Sequence, residues 1–233
     1  MMTKNETQQT GFLTRFNLRR DWFLIWIWVL ILGMLMTAVA FKFNDLYGTP
    51  QSIATIVSTL KTPAMVSLFG AFVAKAPYTT ADIFASEMLV FMALFMVVMN
   101  IFFAVRNTRG EESNGMLELI RSHAVGKQSP LLAATLELFL INLLVGLIYF
   151  GGLQVSGMRG MNTMGNLLTG VGLAAVGFMF GSVALLMSQV SDNPRGATML
   201  SYLVLGIAYI GRMITDVENP DLTWWSPFGW IEK

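Results

Sequence analysis

Trp22-Phe-Leu-Ile-Trp-Ile-Trp-Val-Leu-Ile-Leu-Gly-Met-Leu-Met-Thr-Ala-Val-Ala-Phe41 contains no ionisable side chain. A bilayer core of about 30 Å takes roughly 20 apolar residues at the helical rise of about 1.5 Å, so the stretch reads as a membrane span. Four similar runs follow: about 83–105 with only Glu87, 131–150 with only Glu137, and 166–187 and 197–211 with no charge. The whole chain agrees, since 55% of its 233 residues are hydrophobic and 12% charged, about half the usual charged fraction. A water-soluble globule of this size has too much surface to hide so many apolar side chains. The fold class expected is all-α, a polytopic transmembrane helix bundle of five spans.

Lysine and arginine set the expected orientation, because cytoplasmic flanks are enriched in them. Lys4, Arg15, Arg19, Arg20, Arg106, Arg109, Arg121, Lys127 and Arg195 collect on one side, against Lys42, Lys61, Lys75, Arg159, Arg212 and Lys233 on the other. The N-terminus is therefore expected in the cytoplasm. Residues 1–21 form a cytoplasmic segment and 22–211 the transmembrane domain, with an outer loop 42–82 and an inner loop 106–130; 212–233 lie outside. Five spans starting inside leave the C-terminus outside, in a tail rich in turn residues and interfacial tryptophan, and a sixth span is expected beyond it. Ala38-Val39-Ala40 has the form of a signal-peptide cleavage site, but the apolar run exceeds the roughly 7–15 residues of such a region, which favours a retained span.

The connections carry further patterns. Phe12 with Phe16 and Arg15 with Arg19 stand four apart before the first span, as in a helix lying along the inner leaflet or in a basic flank that sets topology. Ile53, Ile56, Val57 and Leu60 follow helical spacing, and Thr62-Pro63 ends that helix. In the inner loop, Thr108 and Glu111 have capping-box spacing. Asn114 is expected to cap a short amphipathic helix with Met116, Leu117 and Ile120 on one side and Glu118 and Arg121 on the other. Two turns are too short to stand alone, so that helix docks into a partner groove or packs beneath its own bundle.

Few polar residues lie within the spans. Glu87 sits near the outer interface, where it reaches headgroup water or serves function. Asn100 and Glu137 are expected at similar depth on antiparallel neighbours, pairing by hydrogen bond, with Asn142 further along. Gly177 and Gly181 form a Gly-x-x-x-Gly stripe for close helix packing. The 17 methionines supply flexible apolar surface for greasy substrates, or fill the core and face lipid.

Catalytic chemistry finds no support. With no cysteine and one histidine, His123 beside Ser122, neither a thiolate site nor a Ser-His pair at depth can be assembled, and no metal set exists. No Gly-x-x-x-x-Gly-Lys-Ser/Thr occurs, so any ATP hydrolysis belongs to another polypeptide. A net charge of +1 argues against nucleic acid as a partner.

Glu111-Glu112, then Gly115-Met-Leu-Glu-Leu-Ile-Arg121 and Val125-Gly-Lys127, resembles the cytosolic coupling loop of ABC type 2 transporter permeases, where an acidic pair precedes Gly-x-Leu-Glu-Leu-Leu. Ser226-Pro-Phe-Gly-Trp230 and Pro63-Ala-Met-Val-Ser-Leu-Phe-Gly70 are similar to outer segments of the polyketide (tetronasin-type) antibiotic exporter permeases. The resemblance implies six spans per half, an elbow helix before the first, and a coupling helix between the second and third. It makes Glu111, Glu112, Met116, Leu117, Glu118, Leu119, Ile120 and Arg121 the residues that receive force from an ABC ATPase subunit. That subunit would hold ATP and Mg, this chain no cofactor, and a second permease half or protomer would complete a path for a hydrophobic substrate. The alternative is a non-transporting membrane assembly or sensor protein that recruits a cytosolic partner through 106–130.

Overall fold

Helical hydrogen bonding does not stop where the hydrocarbon does, and each apolar run lies inside a longer helix. A computed structural model describes residues 6–121 and 125–231, without the side chains of Leu119, Arg121 and Pro220. The readings on Lys4, Ser122, His123 and Lys233 fall outside the described residues. In chain order the helices are α1 (Thr10–Arg20), α2 (Trp22–Leu46), α3 (Pro50–Leu60), α4 (Pro63–Phe69), α5 (Thr80–Val105), α6 (Glu111–Ser113), α7 (Met116–Arg121), α8 (Ser129–Ser156), α9 (Thr163–Val190) and α10 (Pro194–Glu218). Two 3-10 turns follow, Pro220–Trp225 and Pro227–Trp230. The fold is all-α among the described residues. Five helices are long and apolar enough to cross a membrane: α2, α5 with its extension to Ser113, α8, α9 and α10.

Polar caps decide where the helices begin. Thr79 and Asp82 form a capping box at α5, and Thr49 with Ser52 does so at α3, where Pro50 fills the first helical position. The Asn162 and Asn193 side chains accept from the amides of Gly165 (2.6 Å) and Gly196 (2.8 Å), starting α9 and α10. The expected capping box at Thr108 and Glu111 is not formed. Helix α5 runs on through a π turn, Arg106–Gly110, in which the Thr108 hydroxyl donates back to the Ala104 carbonyl (2.6 Å). A threonine inside a continuing helix has that carbonyl four residues back within reach and no free amide to cap.

Helix α9 is the centre of the bundle, packed against α5, α8 and α10, while α8 also carries α2 and α1. Glycine makes the α8–α9 contact possible. A methyl group on Gly146 would lie 2.9 Å from the Gly170 carbonyl oxygen, too close for any other residue. Met36, Met92, Met96 and Met99 are fully buried, so these methionines fill the core. Helix α3 packs on α5, with Val57 and Leu60 buried and Ile53 and Ile56 partly so. Helices α3 and α4 meet at 87° and close over one end of the bundle, α4 resting on α10. The fifth apolar run was expected to end at Gly211, but α10 continues to Glu218, because Arg212 and Asp216 pair within it.

Candidate functional site

The opposite end of the bundle, where α1 meets the 106–130 loop, holds a connected set of charged side chains. It starts from Asp21, which ends α1, its amide donating to the Asn17 carbonyl (2.8 Å). Its buried carboxylate accepts from Arg20 (3.1 and 3.2 Å) and from Arg106 on the π turn (3.1 and 3.2 Å). Arg20 also donates to the buried Glu111 carboxylate and to Asn107 Oδ1 (2.8 Å). Partial burial works against its charge, yet the hydrogen bonds it donates to Asp21 and Glu111 outweigh that and hold its pKa above the ordinary value. Asn107 passes the contact inward, its Nδ2 donating to Glu137 Oε2 on α8 (2.6 Å). Asp21 and Glu111 thus share the Arg20 and Arg106 guanidiniums, while the fully buried Glu137 joins the network through the neutral side chains of Asn107 and Asn17.

The acidic pair divides its attachments. Glu111 binds the elbow through Arg20, whereas Glu112 pairs with Arg109, whose Nε donates to the Ser188 carbonyl (2.5 Å) at the C-terminal turn of α9. Arginine at a helix C-terminus satisfies carbonyls left without an intrahelical partner. Loop 106–130 is thereby tied to α1, α2, α8 and α9 at once. A further tie comes from the N-terminal segment, where the Gly126 amide donates to the Gln8 carbonyl (3.1 Å) and Ser129 Oγ to the same carbonyl (2.7 Å). Between the loop and the helix ends lies a cavity of about 290 Å³, lined in part by Thr108, Arg109, Glu112, Leu117, Lys127 and Leu131.

Helix α7 forms where sequence spacing put it, with Met116, Leu117 and Ile120 partly exposed and Glu118 exposed. Asn114 closes α6, its amide donating to the Gly110 carbonyl (3.2 Å), before the left-handed turn at Gly115 (φ 72°). Side-chain placements for Leu119 and Arg121 lie outside the described residues.

The expected Asn100–Glu137 pair is not formed. The estimate of depth ended the second span at Val105, but α5 continues, so Asn107 rather than Asn100 reaches Glu137. Asn100 pairs instead with Asn142, each amide donating to the other (3.0 and 2.6 Å) and to the carbonyl four residues back, Met96 and Leu138 (both 2.8 Å). Gly177 and Gly181 of α9 lie against this pair. A methyl on Gly177 would sit 2.9 Å from Asn100 Nδ2, and one on Gly181 2.8 Å from Asn100 Oδ1. Glu87 is partly buried near Tyr47 and makes no ion pair among the described residues.

Sequence reasoning missed the end closed by α3 and α4. There Arg212 and Asp216, both buried, pair at 3.2 Å on successive turns of α10. Arg212 Nη2 donates to the last carbonyls of α4, Ser67 (3.1 Å) and Leu68 (2.8 Å), and Thr223 donates to Asp216 (2.6 Å). The i, i+4 spacing was visible, but the acceptors are backbone groups that no side-chain pattern announces.

Residues 78–231 match the family model described as ABC-2 family transporter protein. The chain is 30% identical over 220 residues to a multidrug efflux system permease protein of Mycobacterium tuberculosis, covering 94% of this chain and 39% of that protein. It thus spans about two fifths of the length of the curated relative it matches. With five apolar membrane-length helices and this match, the chain belongs to the ABC-2 family of transporter proteins, as a multi-pass component of the bacterial plasma membrane.

Proposed function

We propose that the chain is the membrane-spanning permease subunit, or one half of it, of an ATP-driven exporter that moves hydrophobic or amphipathic compounds such as antibiotics outward. The reading extends to polyketide (tetronasin-type) exporters, whose outer segments Pro63–Gly70 and Ser226–Trp230 resemble. The observation that carries this reading is the attachment of the 106–130 loop: its acidic pair is fastened to α1 and to α9, so a push on α7 reaches four helices of the bundle.

In this reading the network end faces the cytoplasm, and a separate ABC ATPase subunit, which holds ATP and Mg, engages Glu111, Glu112 and the stretch Met116 to Arg121. This chain binds no cofactor. Loading α7 displaces the Glu111–Arg20 and Glu112–Arg109 contacts, tilting α1 and α9 against α5 and α8. The path for the hydrophobic substrate lies between this half and a second permease half or protomer, within the lipid bilayer. Gly177 and Gly181 keep α9 seated on the Asn100–Asn142 pair while the bundle tilts.

The test uses the full-length permease coexpressed with its ATPase in a drug-sensitive host. Glu112→Ala and Leu117→Asp should each lower efflux by about tenfold, a typical coupling energy between sites, while ATP hydrolysis and expression continue. Unchanged efflux in both variants overturns the reading.

A further inference from the structure

Helix α1 is inverted relative to a helix on a water-facing surface. Its buried side, against α8, carries Leu13, Thr14 and Asn17, two of them polar. Phe12, Arg15, Phe16 and Arg19, at i, i+3, i+4 and i+7, form one exposed stripe. Phe12 is 65% exposed while Asn17 is 4% exposed. Water would drive the opposite arrangement, so the stripe meets an apolar medium. Trp22, Phe23 and Trp26, exposed at the start of α2, continue the patch onto the perimeter of a membrane span, with tryptophan where the hydrocarbon meets the headgroups.

The stripe also carries uncompensated charge. Arg15 and Arg19 are exposed and make no ion pair among the described residues, whereas the adjacent Arg20 is engaged by Asp21 and Glu111. Two guanidiniums interleaved with two phenyl rings, at the rim of a span, match a phosphate layer above acyl chains; guanidinium binds phosphate oxygens in bidentate fashion. We propose that this stripe is a binding surface for anionic phospholipid headgroups, with Arg15 and Arg19 on the phosphates and Phe12 and Phe16 at the acyl boundary. The surface communicates with the charge network, because the Arg20 guanidinium lies over the Phe16 ring at 5.7 Å.

The chain has no cysteine, and a side chain at Gly11 meets nothing within 4 Å, so a spin label on Gly11→Cys reports on the stripe without disturbing it. The full-length protein is reconstituted in phosphatidylcholine vesicles with rising fractions of phosphatidylglycerol. The label should slow as phosphatidylglycerol rises. In R15Q/R19Q the half-effect should need more of it, by about fivefold for each arginine removed. R15K/R19K, which keeps the charge but loses the bidentate geometry, should fall between the parent and R15Q/R19Q, and Arg195→Gln, an exposed cation elsewhere in the chain, should leave the response unchanged. A label insensitive to phosphatidylglycerol, an equal response in R15Q/R19Q, or slowing only after a protein partner is added overturns the proposal.

Discussion

Two polar contacts join α5 to α8, and they differ in how completely they are satisfied. In the Asn100–Asn142 pair every amide hydrogen has an acceptor and each side-chain oxygen a donor, and glycines of α9 cover it. Near the loop end, Asn107 meets Glu137 in a network where acids outnumber arginines. A saturated neutral pair has no better arrangement to move to, so it acts as a rivet. A charged network with a surplus acid has alternative pairings of similar energy, which suits the end of the bundle that must respond to a partner.

The largest effect should come from removing the cation that most of the network shares. Arg20→Met takes a donor from Asp21, Glu111 and Asn107 together and leaves buried carboxylate unpaired; the expected loss is about 3 kcal/mol, the lower end for breaking a buried pair because Arg20 is partly exposed. Thermal unfolding in mild detergent measures it. A loss below that of the asparagine variant would erase the distinction drawn above. The rivet predicts a smaller, strictly pairwise effect. Asn100→Ala and Asn142→Ala should each cost about 1 kcal/mol, and the double variant should cost less than their sum, since the second change removes an amide already without its partner. Additive losses would mean that the two amides act independently.

The sequence told much about elements and little about pairing. Apolar runs carrying at most one charge revealed all five long helices, because the bilayer punishes interruption and so leaves a pattern on consecutive residues. Helix α7 was legible for a similar reason, as Met116, Leu117 and Ile120 share a face by local spacing alone. Partners across helices were not. Depth reckoned from the charge at Arg106 placed Asn100 opposite Glu137, and nothing local announced that the helix would pass Arg106 through a π turn and carry Asn107 there instead. Gly177 and Gly181 were recognised as a packing stripe, but what they pack against depended on a pairing between two other helices. The same limit hid the split of the acidic pair, since Glu111 reaches Arg20 across 91 residues and Arg109 reaches Ser188 across 79.

The smallest effect on stability, and the most telling one, belongs to Glu137→Gln. If Glu137 were a structural counter-ion, neutralising it would cost as much as removing Arg20. Its contacts say otherwise: among the described residues the carboxyl meets the neutral side chains of Asn107 and Asn17 and forms no ion pair with an arginine. A glutamine keeps an oxygen for Asn107 and removes an ionisable acid from a fully buried position, so melting in detergent should shift by about 0.5 kcal/mol or less, and in the stabilising direction. The same change removes the acid that Arg20 would meet on leaving Glu111, so in the exporter reading it should weaken efflux with little effect on folding. A large loss of stability in this variant would place Glu137 with the rivets and leave Arg20, Asp21 and Glu111 as the only movable part of the network.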